Sequence, residues 1–261
     1  MNSDLRKKIV TIIKNSGEGH IPSSFSIIDI LDYIYGNVLR QKKKDLKKID
    51  RNYFVLSKGH AAAAFFVVLS KYGFITNKEL MTYGKKYSNL GGHPDMTKVP
   101  GVEASTGSLG HGFPTSVGIA MGLKIRGNNN NIVYCLVGDG ECHEGTIWES
   151  ANIAANNKLN NLIVIVDRNK SAQQLMPIEN MEKKWNAFGW KTFICNGHSK
   201  KSLDQTFKKI KKNFNKNPIC IIANTIKGKG VSFIEGHGPW HHKIPNDVEF
   251  DSILKELNDK K

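Results

Sequence analysis

Two short polar motifs follow apolar segments and together offer oxygen ligands for a metal ion. Gly138-Asp139-Gly140 follows the apolar run 132–137, and Asn169 follows the run 162–166, thirty positions after the aspartate. Glycines let the backbone turn sharply and approach a ligand closely. Carboxylate, amide and carbonyl oxygens suit Mg²⁺ or Ca²⁺, and diphosphate oxygens can complete the coordination shell. We therefore predict a metal-diphosphate site built from Asp139, Asn169 and a carbonyl just after it, that of Ser171.

The spacing of these motifs also predicts how the chain positions them. One strand, one helix and a return to a neighbouring parallel strand need about thirty residues. The carboxyl ends of such strands meet at one edge of the sheet, where ligands bind in open α/β sheets. Asp139 and Asn169 are therefore expected side by side at that edge.

Apolar, β-branched segments alternate with helical patterns along the chain. The predicted strands are residues 54–56, 132–137, 162–166 and 219–223, with a weaker one at 191–195. Helical patterns cover residues 5–13, 61–72, 146–157 and 202–214, and another helix is expected after the turn 107–112. This alternation predicts an α/β fold, a parallel sheet with helices on both faces. We expect one domain over residues 1–261, with a frayed end over the last dozen charged residues.

The net charge of +15 raises the question of nucleic-acid binding. One lysine cluster lies on the predicted helix 202–214, whose Leu203, Phe207, Ile210 and Phe214 form an apolar stripe. Its lysines then occupy the opposite, solvated face. No helix-turn-helix, RRM-like or KH-like signature accompanies the charge. We expect a solvated basic surface and no nucleic-acid partner.

The cysteines and apolar runs predict the compartment. Cys135, Cys142, Cys195 and Cys220 form no CxxC pair, and most stand in strand-like runs where a buried free thiol is the usual state. The N-terminus lacks the apolar segment of a secretory signal, and no apolar run is long enough to span a bilayer. The expectation is a cytoplasmic protein without a membrane partner.

Four of the nine histidines stand beside glycines or turn-forming residues: His20, His60, His93 and His241. A single loop histidine usually has no catalytic role, but active-site residues gather on such loops. Imidazole can donate, accept or carry a proton near neutral pH. The four together predict a polar reaction site. The turn from Gly107 to Gly112 precedes a predicted helix, so its backbone N–H groups could face an anion.

These motifs resemble the transketolase family over nearly the whole chain and in the same order. The shared motifs are GH near the start, SKGH, GGHPD, STGSLGHG, GDG with Asn thirty residues later, KGKGVSF and WH. The GDG and Asn pair looks like the thiamin diphosphate fingerprint, in which Asp, Asn and a main-chain carbonyl hold the metal that bridges the diphosphate. The resemblance implies the thiamin diphosphate-binding fold, called the PP domain, with thiamin diphosphate and Mg²⁺ or Ca²⁺ as cofactors.

The resemblance also implies roles for individual residues. The metal ligands would be Asp139, Asn169 and Ser171. The cofactor-binding set would be His60, Gly107, Ser108, Leu109, Gly138, Asp139, Gly140, Asn169 and His241, and the catalytic set would be His20, His60, His93, His241 and Glu144. His20 and His93 would contact the substrate, His60 would reach the diphosphate side, and His241 would serve both.

Three further residues have more than one interpretation. Glu144 is either an exposed carboxylate favoured by a helix start or, as the resemblance implies, part of a proton-sharing network with a partner's catalytic Glu. His111 departs from the usual family turn and either adds a fifth imidazole to the site or caps the turn. Lys58 replaces a residue that is often neutral and could reach a phosphate. Ser108 is another departure from the family turn.

Complete transketolases also carry a pyrimidine-binding domain, which supplies the catalytic Glu, and a C-terminal domain. Neither has a candidate after WHHKIPNDVEF. The resemblance therefore implies a split enzyme in which a C-terminal subunit completes each site, as α2β2. It would transfer a two-carbon ketol unit from a ketose phosphate to an aldose acceptor.

Two other functions remain open. One is a decarboxylating acyl transfer on the same cofactor, as in deoxyxylulose-phosphate synthase or the E1 component of 2-oxo-acid dehydrogenases. The other is a non-catalytic basic binding protein. The histidine series favours sugar handling over E1 chemistry, and the intact GDG and Asn pair argues against a catalytically silent protein.

Overall fold

A parallel sheet of five strands forms the centre of the computed structural model, which describes residues 2–128, 130–212, 217–236 and 238–259. The strands are β1 (Tyr53–Leu56), β2 (Val133–Gly138), β3 (Leu162–Arg168), β4 (Lys191–Asn196) and β5 (Ile219–Asn224). Their order across the sheet is β1-β2-β3-β5-β4, and every neighbouring pair is parallel. The five predicted strands are confirmed, and so is the α/β fold class.

Burial along the strands explains why some were easier to predict than others. All six residues of β2 are buried, as are the first six of β3 and the first five of β5, because helices cover both faces of the sheet. β4 lies at the edge, and Ile194 in it is 50% exposed. Its apolar pattern is correspondingly weak.

The helices lie in two layers, one on each face of the sheet. Their bounds are α1 (Ser3–Ser16), α2 (Ile21–Tyr33), α3 (Ala62–Lys71), α4 (Asn77–Leu80), α5 (Gly112–Ile125), α6 (Gly145–Asn156), α7 (Met181–Ala187), α8 (Lys200–Lys212) and α9 (Asp247–Asp259). Helices α1, α2, α3, α8 and α9 share one apolar core with Leu136 and Ile165. Helices α5, α6 and α7 share the other with the alternate residues Val137 and Val166.

Two expectations about helices need correction. The chain end is not frayed over its last dozen residues, because α9 runs to Asp259 and buries Ile253 and Leu257 completely. Helix α2 had no predicted counterpart, since nearly every residue in it is buried and no amphipathic period marks it. On α8, Leu203, Phe207 and Ile210 are buried as predicted, whereas Phe214 lies outside the described residues.

The thiols and the length of the helices bear on the predicted compartment. Cys135, Cys142, Cys195 and Cys220 are all buried and free of disulfide bonds, as predicted. Among the helices within the described ranges, none has the length and apolar character to cross a membrane.

Candidate functional site

A cleft of about 350 Å³ opens where β2 and β3 end. Its walls include Asp139, Asn169 and Ser171, the three predicted metal ligands, together with His60 and His241. The crossover from β2 to β3 places Gly138 beside Asp167 in the sheet, so the polar residues that follow each strand meet at one edge. Larger clefts lie elsewhere, but their lining holds none of these predicted residues.

Asp139 links the turns that follow the two strands. One carboxylate oxygen accepts the Gly140 N–H at 2.8 Å, and the other accepts the Lys170 N–H at 2.6 Å. Burial raises the pKa of Asp139 to about 6, and the neighbouring Asp167 contributes to that rise. A divalent cation would oppose both effects, because it favours the charged carboxylate.

Asn169 is oriented by its own hydrogen bonds. Its Nδ2 donates to Asp167 at 2.9 Å, so its Oδ1 points the other way and accepts the Ser171 N–H at 3.0 Å. Amide and carboxylate oxygens thus stand on adjacent turns, which is a donor set that suits Mg²⁺ or Ca²⁺. No group of three or more His, Cys, Asp or Glu within the described residues is arranged to hold a metal. A metal here would depend on the amide, main-chain and ligand oxygens.

A buried ion pair supports this edge of the sheet from beneath. Lys58 is 1% exposed and its Nζ lies 2.5 Å from Asp167, which is fully buried. Ser26 and Thr225 also donate to this carboxylate. Burial tends to raise the pKa of Asp167, but Lys58 and the hydrogen bonds outweigh it and hold the pKa below its ordinary value. Lys58 lines the cleft as predicted, with its charge already paired to a residue that sequence reasoning missed.

Three of the four predicted histidines form a cluster above the cleft. The ring of His20 lies 5.5 Å from that of His60 and 5.1 Å from that of His241, measured between centroids. A fourth ring, His242, lies 4.6 Å from His20 and was not predicted. Its partner Glu18, 3.4 Å away, was also missed.

Burial keeps the inner histidines neutral. It lowers the pKa of His20 to about 4, and His241 contributes to that lowering. It lowers the pKa of His60 to about 2, and the charge of Lys58 adds to that effect. Neutral imidazoles donate and accept hydrogen bonds without adding charge, which suits contacts with sugar hydroxyls.

The glycine turn touches both the histidines and the strand ends. A Cβ atom on Gly107 would lie 2.8 Å from His93 Cδ2, so the imidazole of His93 packs directly on this backbone. A Cβ on Gly59 would lie 2.7 Å from the Gly107 nitrogen, and one on Gly112 would lie 2.6 Å from the Cα of Ser57. Only glycine allows so close an approach of two turns.

Glu141 joins three turns and was missed by sequence reasoning. It is 1% exposed and accepts the Gly110 N–H at 2.9 Å, the Gly138 N–H at 3.1 Å and the Ser57 hydroxyl. Burial raises its pKa. The only signal in the sequence was its place directly after the GDG turn.

The remaining predicted residues lie at the rim of the cleft. Ser108 is exposed, and Leu109 is 36% exposed. His111 is exposed with Nδ1 2.9 Å from the Leu109 carbonyl, so its ring closes the turn. Glu144 is exposed at the N-cap of α6 without a side-chain cap bond, and it packs against Gly110.

Lys227 adds a second buried lysine to the cleft. Its Nζ donates to Ser171 Oγ at 2.7 Å and lies 3.1 Å from His241 Nδ1. An amine without an acceptor fixes Nδ1 of His241 as the acceptor, so Nε2 carries the proton. Burial lowers the pKa of Lys227, and Lys58 lowers it further. The KGKG run was visible in the sequence but gave no position.

Comparison with known proteins decides the family. The model described as transketolase, thiamine diphosphate binding domain, matches residues 1–255. The chain belongs to the transketolase family. Its resemblance to that family is thus confirmed, as are the thiamin diphosphate-binding nature of its domain and its assignment as a transketolase subunit.

Transketolases of two lengths are similar to this chain. A subunit of the apulose-4-phosphate transketolase from Actinobacillus succinogenes is 42% identical, over 98% of this chain and 94% of that protein. Human transketolase is 35% identical over 97% of this chain but only 41% of its own length. The transketolase structure from Campylobacter jejuni matches with a TM-score of 0.89 and 27% identity, over 97% of this chain and 41% of that one. The chain therefore spans about two fifths of the longer transketolases.

Proposed function

We propose that this chain is the N-terminal subunit of a two-subunit transketolase. In this proposal it holds the diphosphate end of thiamin diphosphate through Mg²⁺ or Ca²⁺, and it helps to move a two-carbon ketol unit from a ketose phosphate to an aldose. The observation that carries the proposal is the meeting of Asp139 and Asn169 at one sheet edge, beneath neutral histidines and beside two lysines.

Each wall of the cleft has its own task. Asp139, Asn169 and the Ser171 carbonyl would ligate the metal, while Lys58 and Lys227 would offset the remaining negative charge of the diphosphate. Gly107, Ser108, Leu109, Gly138 and Gly140 would let the backbone approach the cofactor closely. When bound, thiamin diphosphate supplies the electron sink that carries the two-carbon unit.

The histidines would orient the sugar. His20, His60 and His93 would hydrogen-bond its hydroxyls or the cofactor as neutral rings, and His241 would present an Nε2–H donor because Lys227 occupies Nδ1. Neutral donors of this kind hold a polyol without the repulsion of a protonated imidazole cluster.

A C-terminal transketolase subunit is the proposed partner, in an α2β2 complex that also supplies the pyrimidine-binding domain and the catalytic Glu. The similarity to three proteins that are themselves named as transketolase subunits supports this. Leu175 is 83% exposed and Met176 57% exposed, next to Leu109 at the rim of the cleft. Apolar side chains grouped beside a site indicate a surface that a partner covers. Glu144 would face the partner's catalytic Glu there, in a cytoplasmic complex whose cysteines stay reduced.

The deciding experiment mixes this chain with its C-terminal partner, thiamin diphosphate and Mg²⁺, and measures glycolaldehyde transfer from xylulose 5-phosphate. We expect transfer from the mixture and none from either protein by itself. Activity of this chain without the partner would overturn the split enzyme. Donors should include apulose 4-phosphate and 6-deoxy-6-sulfo-D-fructose, for which two relatives are named. Condensation of pyruvate with an aldehyde, without ketol transfer, would instead favour the deoxyxylulose-phosphate synthase-like alternative.

A further inference from the structure

Asp29, in the middle of α2, is the centre of a buried polar network away from the cleft. Arg6 of α1 donates to both of its oxygens, at 3.1 Å from Nη1 and 2.7 Å from Nη2. His198, in the turn between β4 and α8, lies 2.9 Å from Asp29 through Nδ1. Arg6 is 0% exposed and the side chains of Asp29 and His198 are 10% and 11% exposed. These contacts hold together three segments that are distant in sequence.

The hydrogen bonds of His198 define its tautomer. Its Nε2 accepts the backbone N–H of Ile226 at 2.9 Å, and a nitrogen that accepts carries no proton. Nδ1 must then carry the proton and donate it to Asp29, which has no donor of its own when ionised. His198 is therefore a neutral bridge between α2 and the segment that follows β5.

The same segment is held at two more points. Arg6 Nε donates to the Lys229 carbonyl at 2.7 Å, and the Gly228 N–H donates to the Pro22 carbonyl at 2.9 Å. Between these anchors lies Lys227, whose Nζ reaches Ser171 and His241 in the cleft. The cleft wall includes Lys227 but not His198.

We propose that His198 is a positioning residue for the reaction site. By accepting the Ile226 N–H while donating to Asp29, it fixes the backbone next to Lys227, and through Lys227 it sets the tautomer of His241. The inference rests on the proposed function only for the ligand that Lys227 serves, the diphosphate.

Two amide variants separate the two hydrogen bonds of His198. In His198→Asn the amide lies near the place of Nδ1 and keeps a donor for Asp29, but it leaves the Ile226 N–H without its acceptor. In His198→Gln the amide reaches the place of Nε2 and can accept from Ile226. In the assembled enzyme we expect His198→Asn to raise the KM for thiamin diphosphate about fivefold, as for one lost hydrogen bond, with kcat nearly unchanged. We expect His198→Gln to restore the KM to near wild type. Equal effects of both variants on KM would overturn the inference.

A double variant tests whether His198 acts through Lys227. Lys227→Met should itself raise the KM, and His198→Asn should add nothing further in that background, because the two residues belong to one chain of contacts. Fully additive effects would overturn the positioning role. An unchanged KM in Lys227→Met alone would instead count against the proposed function of Lys227 in the cleft.

Nitrogen-15 NMR of the imidazoles tests the inference in this chain alone, without cofactor or partner. We expect His198 to show the Nδ1–H tautomer and His241 the Nε2–H tautomer. In His198→Asn the His241 signals should move towards a mixture of tautomers, and in His198→Gln they should stay as in wild type. Unchanged His241 signals in His198→Asn would overturn the inference whatever the enzyme assays show.

Discussion

The cleft has an oxygen wall of Asp139, Asn169 and Ser171, and a nitrogen wall of Lys58, His60, Lys227 and His241. The oxygen wall comes from two neighbouring strand ends, and its carboxylate and amide are held by backbone N–H groups of the same turns. The nitrogen wall comes from segments after β1 and β5 and from the loop before α9, and its charges depend on distant partners. Local turns thus build a metal-binding edge, whereas tertiary packing builds the opposing basic edge.

Breaking the nitrogen wall at Lys58 should produce the largest effect. Lys58→Met leaves the carboxylate of Asp167 buried without its ion pair, which should lower the free energy of unfolding by about 3–5 kcal/mol. Urea unfolding of the ligand-free chain measures this. Lys58→Met with Asp167→Asn should recover part of the loss, because no uncompensated charge remains. Lys98→Met, at an exposed pair with Asp95, should cost less than about 1 kcal/mol. Equal losses at the two sites would refute the buried-pair account.

Breaking the oxygen wall should affect binding more than stability. Asp139→Asn removes a charged metal ligand, so we expect the affinity of the assembled enzyme for thiamin diphosphate with Mg²⁺ to fall about 100-fold. Calorimetric titration measures the change. Asp251→Asn, at an exposed position on α9, is the matched control and should bind as wild type. Undiminished affinity in Asp139→Asn would show that the metal assignment is wrong.

The rim that joins the two walls is sharpened by removing an apolar side chain. Leu175→Ser should weaken association with the C-terminal partner about tenfold, because it removes one leucine from the covered surface. Analytical ultracentrifugation measures the dissociation constant. Val248→Ser serves as the control, since Val248 is 76% exposed on α9. Equal association of Leu175→Ser and wild type would place the partner on another surface.

The smallest expected effect is a pH dependence from the nitrogen wall. Unfolded His20 binds a proton below its ordinary pKa of 6.5, whereas the folded residue resists protonation down to about 4. The unfolded state then holds more protons, so stability should fall as pH drops from 6.5 to 4. His20→Asn should reduce this slope by up to one proton, measured by urea unfolding at several pH values. An identical slope in the variant would mean that His20 ionises freely in the fold.

The oxygen wall could be predicted from the sequence because its information is local. An apolar strand followed by GDG, and another followed by Asn, places both motifs at one sheet edge once the strands are parallel. β2 and β3 begin and end within a residue or two of the predicted bounds, so the edge was placed correctly.

The nitrogen wall could be predicted only in part. Glycine-rich surroundings marked His20, His60 and His241 as candidates, but they did not reveal that these rings meet. Lys58 and Asp167 stand 109 positions apart, and nothing near either residue names its partner. Helix α2, which carries Asp29, escaped prediction because complete burial removes the apolar period that marks a helix.

The shared carboxylate of Glu141 has a consequence for how this fold can be recombined. Because one side chain serves the turns at Ser57, Gly110 and Gly138, a segment swapped between relatives carries a compatible site only if all three turns come from the same parent. Crossovers placed inside residues 57–141 would combine turns that were never selected together. Chimeras of split and full-length transketolases should therefore inherit that block whole.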